Sequence, residues 1–347
     1  HGVRRQRQMC IRDRGHVAWN SWLGQWRHNA QMGFRIHRDE MDRFQWLDEY
    51  AMLENGIMAL TSPGQPGTES NRIESTEAIS GYIQYELSYN NLSISPGVRY
   101  ENVNHRREDF GKVDPARTGI DLSTRENSYD VIIPGVGFEY SFDRSVNLFA
   151  GIHKGFGPSG SKEGTDPEAS VNYELGARIA ERAFTGSLAI YLNDYKNLLG
   201  ADLNATGGSG STDLFNGGEA LNRGLELEFG YLIHTSWMDA NWPIQLTYTL
   251  AEATFESSFD SEFGGWGKVE SGDHLPYFAR HRASMLLGME NEHLQLNVNC
   301  RYVDEMLTAP GSFEDASVAK IPANFIADIS VHWLINTHLT VSVSVNN

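Results

Sequence analysis

The chain has 347 residues, 40% of them apolar and 11% aromatic, with 34 glycines and a formal charge of −17. That acidic balance, with no sustained basic patch, argues against nucleic-acid binding. No apolar run is long enough for a transmembrane helix, and two cysteines, Cys10 and Cys300, support neither a disulfide framework nor a zinc site.

In chain order, residues 1–14 (HGVRRQRQMCIRDR) are basic, follow no period and look like adaptor-derived sequence translated at a contig end. They are expected to be a non-native extension, with the folded unit at 15–347. Trp19, Trp22 and Trp26 read as membrane-interface residues. No signal peptide is visible and the chain ends mid-strand at LTVSVSVNN, so it reads as an internal fragment.

From residue 79 a two-residue period dominates. Residues 132–142 set Ile132, Val136, Phe138, Tyr140 and Phe142 against Gly135, Gly137, Glu139 and Ser141. Residues 146–156 and 171–179 repeat the pattern, and residues 223–233 set Leu225, Leu227, Phe229, Tyr231 and Ile233 against Gly224, Glu226, Glu228 and Gly230. In residues 294–302, Leu294, Leu296, Val298, Cys300 and Tyr302 oppose Gln295, Asn297, Asn299 and Arg301, and similar alternation holds to Val345. Strand side chains alternate faces, so each segment has one greasy and one wet side, and the predicted class is all-β. Packed in a sandwich, the greasy side would form a core; in a membrane barrel it would meet lipid.

The connectors separate these alternatives. Short ones at Asn90–Asn91, Asp143–Arg144, Glu181–Ala183, Asn291–His293 and Asn336–His338 alternate with long polar ones near 39–74, 104–128, 157–170, 199–221, 257–278 and 306–322. Outer-membrane barrels have short periplasmic turns and long external loops, so a transmembrane antiparallel β-barrel is predicted, with about thirteen strands visible. Segments 145–157, 184–198, 243–256 and 293–306 should then run outward.

Particular strings carry a family resemblance. IPGVGFEYSFDRSVNLFAGIHKGFGPSG (133–160), PEASVNYELGARI (167–179), NRGLELEFGY (222–231), LPYFARHRASMLLG (275–288) and the closing D-x-S-V to VSVSVNN (328–347) resemble the TonB-dependent outer-membrane receptors. GFRIHRDEMDRFQWLDEY (33–50), SISPGVRYENV (93–103) and NDYKNLLGADLN with FNGGEALNRGLELE (193–228) are similar to its ferric-citrate branch. The resemblance implies part of a roughly 22-stranded barrel whose plug domain and coupling box lie outside this chain. It also implies a Gram-negative outer-membrane location, a TonB-type coupling protein as periplasmic partner, and import of ferric citrate or a siderophore. Uptake of another solute, such as cobalamin, a sugar or another metal chelate, or a passive channel, is the alternative. The branch's cysteine-bearing external loop is missing, since Ala201 and Asp202 follow NLLG.

Ferric chelates of this kind are anionic, and arginine grips carboxylates with two parallel hydrogen bonds. Candidate ligand-binding residues are Arg35, His37, Arg99, His105, Arg106, Arg107 and Arg125. The bland reading pairs such arginines with lumen glutamates, Glu226 and Glu290 among them, or with the plug. Other motifs are weak. Gly155–Gly160 spells G-x-G-x-x-G but precedes no helix. Asp202, Asn204, Thr206, Gly207 and Asp213 approximate calcium-loop spacing without flanking helices. His153 is expected in the lumen and His281 in loop packing. No metal set, resident cofactor or catalytic constellation emerges, so no enzyme is expected.

Overall fold

The structure is a computed structural model that describes residues 4–201, 214–261 and 266–346. Strands β1 (Arg4–Leu23) and β2 (Trp26–Gln45) form a hairpin whose tight turn needs Gly24 at φ 65°. An external ribbon follows, β3 (Glu49–Met52) with β4 (Met58–Ser62). The chain returns as β5 (Ser70–Tyr89) and continues as β6 (Leu92–Asp109), β7 (Ser123–Ser141), β8 (Val146–Gly157), β9 (Glu168–Ala180) and β10 (Phe184–Lys196). After the short β11 (Leu199–Ala201) and β12 (Leu214–Asn216) come β13 (Ala220–Thr235) and β14 (Ala240–Phe255). The ribbon β15 (Phe259–Asp260) and β16 (Lys268–Val269) precedes β17 (His281–Glu290) and β18 (Leu294–Val303). Last come β19 (Met306–Leu307), β20 (Lys320–Ile321), β21 (Asn324–Asn336) and β22 (Leu339–Val345).

Fourteen of these strands make one antiparallel meander in chain order, each paired with its sequence neighbour in the sheet. No helix forms among the described residues. The all-β expectation holds, with fourteen sheet strands where about thirteen were expected. The additional strand is β1. Residues 4–14, expected to stand outside the fold, form its first half and pair with β2 from Arg4↔Gln45 to Arg14↔Arg35. The period there is easily missed: Met9 and Ile11 share a parity with Val17 and Trp19, while the other parity holds Arg12 and Arg14.

Exposure is inverted relative to a soluble core. On β5, Ile79 and Ile83 are each 56% exposed, while Ala78 and Ser80, on the opposite face, are buried. A sheet in water would not leave so many Ile, Leu and Phe uncovered along one face. The apolar parity runs from Trp26 to Ile36 on β2, from Ile79 to Tyr89 on β5 and from Ile132 to Phe142 on β7. Ten residue steps at about 3.3 Å each, tilted by roughly 40°, make a band about 25 Å tall, the height of a lipid-facing girdle. Aromatic pairs sit beside the short turns at its lower edge: Trp26 on Tyr89 (4.5 Å), Tyr140 with Phe142 (5.0 Å) and Phe184 with Phe229 (5.4 Å).

Above the band both faces turn polar, yet the ladder continues. Loops expected at 39–74 and 104–128 shrink to 46–69 and 110–122, because β2, β5, β6 and β7 run on outside the membrane. With no greasy face there, no hydrophobic period marks these extensions, and backbone pairing together with polar cross-strand contacts holds them. Farther along, Phe255 and Val269 are fully buried beside Phe259, Trp266 and Leu275 in a small core under the external loops.

Loop 110–122 is fastened by Asp114, which is almost fully buried. Its carboxylate accepts Thr118 N–H at 2.9 Å and Gly119 N–H at 2.7 Å. Its backbone carbonyl accepts Asn71 Nδ2 at 2.8 Å. Arg117 completes the clasp, donating to Asn71 Oδ1 (2.8 Å) and Asp42 Oδ1 (2.5 Å) between the rings of Phe44 and Phe110. The backbone amides, Thr118 first, hold the Asp114 carboxyl below the ordinary carboxylate range. A depressed folded-state pKa gives stability that is present above the unfolded value and lost as pH falls through the folded one. Pepsin cleavage within 110–122 is therefore expected to rise steeply only as pH drops below about 4. In Asp114→Asn the loop should already be cut readily at pH near 5, where native Asp114 is charged.

Candidate functional site in the upper lumen

The period that leaves Ile36 and Ile79 on the apolar face puts their neighbours on the other face, in register across four strands. One row reads Arg35, Ser80, Glu101 and Val131, and the next His37, Ala78, Val103 and Tyr129. Above them lie Asp39, Thr76, His105 and Asn127, then Met41, Glu74, Arg107 and Arg125, and finally Arg43, Arg72, Asp109 and Ser123. With Arg99 one step lower, six arginines meet only the four carboxylates Asp39, Glu74, Glu101 and Asp109 on this face. A chain of charge −17 thus concentrates a positive surplus at one place.

Several of these cations are internally engaged. Arg107 donates to Asp109 at 2.6 Å and lies 3.8 Å from Glu74, and Arg72 lies 3.2 Å from Glu74. Arg99 bonds Glu101 and reaches Ser80 Oγ at 3.1 Å. Arg35 and Arg43 differ in their neighbours. The buried Nε of each has no hydrogen-bond partner, as is true of the Nε atoms of Arg72 and Arg107, but those two arginines have Glu74 and Asp109 beside them. Arg35 and Arg43 instead face like charge across the ladder, Arg14 and Arg72 respectively. Buried guanidinium donors left open and set against like charge favour an anion.

The expected residues divide accordingly. Arg35, His37, Arg99, His105, Arg107 and Arg125 share the polar face, whereas Arg106 points to the outer face and pairs with Glu108 (2.7 Å) and Glu126 (2.9 Å). Adjacent strand residues face opposite sides, so Arg106 and Arg107 could not both line one cavity. His105 has both ring nitrogens occupied, by Thr76 at 2.8 Å and Tyr129 at 3.2 Å. His37 is hydrogen-bonded to Asp39, with Arg12 Nε at 3.4 Å from its other nitrogen. Cys10, His37 and Asp39 bring donor atoms within 4.8 Å of one another. Arg43 and Arg72 were missed; counting the parity of Arg35 and His37 two residues at a time past the apolar band would have found Arg43.

The G-x-G-x-x-G stretch behaves as its sequence context suggests. Gly157 ends β8, and Asn127 Nδ2 pins the loop beyond it through Ser159 Oγ (3.0 Å), Gly160 O (3.0 Å) and Thr165 O (2.9 Å). The calcium-like spacing from Asp202 to Asp213 lies outside the described residues. His153 occupies the polar face opposite Gly135 and Asn172. His281 bonds Tyr248 at 2.8 Å on the apolar side, near its upper edge.

Comparison with known proteins decides the family: the model described as TonB dependent receptor-like, beta-barrel matches residues 6–347. The chain belongs to that family. It is an outer-membrane β-barrel protein of the Gram-negative type. Metal-pseudopaline receptor CntO of Pseudomonas aeruginosa (strain UCBPP-PA14) is 24% identical over 345 residues, covering 93% of this chain and 45% of that protein. The chain thus spans about half the length of the curated relatives it matches along most of its own length. Ferric enterobactin receptor PirA of Pseudomonas aeruginosa is 35% identical over 92 residues, 25% of this chain and 12% of that one. Among solved structures, ferric citrate transporter FecA in the unliganded form aligns with a TM-score of 0.74 at 18% identity, covering all of this chain and 50% of that chain. At such identity the likeness speaks for the fold alone.

Proposed function

We propose that this chain forms the ligand-facing wall of a receptor importing an anionic ferric chelate, ferric citrate or a siderophore, by TonB-coupled transport. The observation that carries this reading is the surplus of cations on this face, in which the buried guanidinium groups of Arg35 and Arg43 have like charge as cross-strand neighbours. Arg99 and Arg125 would add contacts from β6 and β7, while Arg72 and Arg107 supply positive field from fixed positions. A TonB-type coupling protein in the periplasm would supply the energy, outer-membrane lipid would surround the apolar band, and no catalytic step by this chain is proposed. The names of the relatives support chelate uptake as the class. A chelate of another metal is the second reading, favoured by the metal-pseudopaline relative and by structural likeness to Copper transporter OprC (TM-score 0.61, 13% identity). Titrating the receptor in outer-membrane vesicles with ferric, nickel, zinc and cupric citrate separates the two. Saturable binding of the ferric complex alone is expected; preference for another metal would replace iron in this reading, and absence of binding to all four would discard the citrate assignment.

A further inference from the structure

Arg35 and Arg43, the two arginines set against like charge, stand eight residues apart on the same face of β2. At roughly 3.3 Å per residue that is about 26 Å along the wall, far more than a chelate of citrate's size can span. Arg35 lies level with the top of the lipid-facing band, which ends on β2 at Ile36, and Arg43 lies near the outer end of the strand. One compact anion cannot touch both.

Each has polar surroundings of its own. One row above Arg43, Gln45 pairs with Ser70, and both are more than nine-tenths buried, at 6% and 8% exposed. The Ser70 hydroxyl has no hydrogen-bond partner, and neither has the Arg43 Nε. Arg43 and Ser70 are diagonal neighbours on one face, about 7–8 Å apart at the backbone, so hydroxyl and guanidinium can both donate to one oxyanion. At Arg35 the neighbouring cations are Arg14 and, one row lower, Arg99, with Glu101 as the carboxylate beside them. The rows between offer an anion less. Ala78 and Val103 are buried and apolar, His105 has both ring nitrogens taken, and Arg107 is tied to Asp109. Asp39 keeps a buried Oδ1 without a partner, an acceptor that repels a carboxylate.

We infer that the polar face holds two separate anion stations: an outer one at Arg43 and Ser70, where a ferric chelate is first captured, and an inner one at Arg35, to which it passes. This rests on the anionic-chelate reading above and adds the number of sites and their order. Anions about 26 Å apart are about three Debye lengths from each other at physiological salt, so both stations can fill at once. The test is equilibrium and stopped-flow binding of ferric citrate to the receptor in outer-membrane vesicles. Two chelates per receptor are expected, entering in two phases. Arg43→Ala with Ser70→Ala should weaken the outer station about a hundredfold, since an arginine grips a carboxylate with two parallel hydrogen bonds. It should also remove the fast phase and slow filling of the inner station, whose equilibrium affinity stays within about twofold. Arg35→Ala should keep the fast phase and weaken the inner station alone. Ser70→Ala deletes a hydroxyl that has no partner and both arginines face like charge, so the variants are expected to fold. One chelate per unaltered receptor, two variants that remove the same site, variants that change neither site, or an inner station that fills at its usual rate without the outer one would each overturn the inference. If the unaltered receptor binds no ferric citrate, it is the anionic-chelate reading that falls.

Discussion

Replacing Arg35 and Arg43 together by alanine is expected to weaken binding of an anionic ferric chelate by roughly a hundredfold or more. Hydrogen bonds to charged groups contribute about 1.5–3 kcal/mol each, and about 1.4 kcal/mol is tenfold in affinity. Both side chains face like charge, Arg14 and Arg72, so their removal relieves repulsion in the empty protein and should not harm folding. Arg106→Ala is the matched control. It deletes a cation of the same strand system, but one held on the outer face by Glu108 and Glu126, and affinity should stay within about twofold. Titration in vesicles at two salt concentrations reads both effects. Equal responses of the two variants would mean that bulk charge, and not the arrangement of the polar face, attracts the ligand. No response in either would leave the arginines as wall structure only.

The second large effect concerns which face meets hydrocarbon. Leu188 lies on the apolar parity of β10 between Leu227 and Ala177, at the middle of the band, and is 44% exposed. Leu188→Arg should lower folding stability in lipid vesicles by about 2–4 kcal/mol, the cost of an arginine near the bilayer midplane. Ser187→Arg, one residue away, enters the polar face between Glu228 and Arg178 and should cost about 1 kcal/mol or less, the attraction to one offsetting the repulsion from the other. In water, a half-exposed leucine replaced by arginine would cost under about 0.5 kcal/mol. Urea-driven unfolding from vesicles that ranked the two substitutions the other way round would place lipid on the wrong face.

Much of this architecture is written in local pattern. Leu225 to Ile233 against Gly224 to Gly230 demands a strand with two unlike sides wherever it is placed, and alternation of short and long connectors orders such strands into a meander. Two things escaped for physical reasons. The upper parts of β2, β5, β6 and β7 are polar on both faces, so nothing in their hydropathy separates strand from loop. The first half of β1 is dense in arginine, and its two apolar outward residues, Met9 and Ile11, carry too little signal to show a period.

For the binding face the division is sharper. Sequence alone supplied the parity of each residue, which already forbids Arg106 and Arg107 from sharing a side, and it supplied the residue types an anionic chelate needs. Register was decided only in the assembled sheet. β2 and β5 are joined by a long connection and could pair two residues out of step without turning any side chain to the other face, so the alignment of Arg43 with Arg72 and of Arg35 with Ser80 exists only once the ladder has formed. That alignment sets Arg35 and Arg43 against like charge while it brings carboxylates beside Arg72 and Arg107, a distinction that depends on distances and on no hydropathy pattern of any single segment.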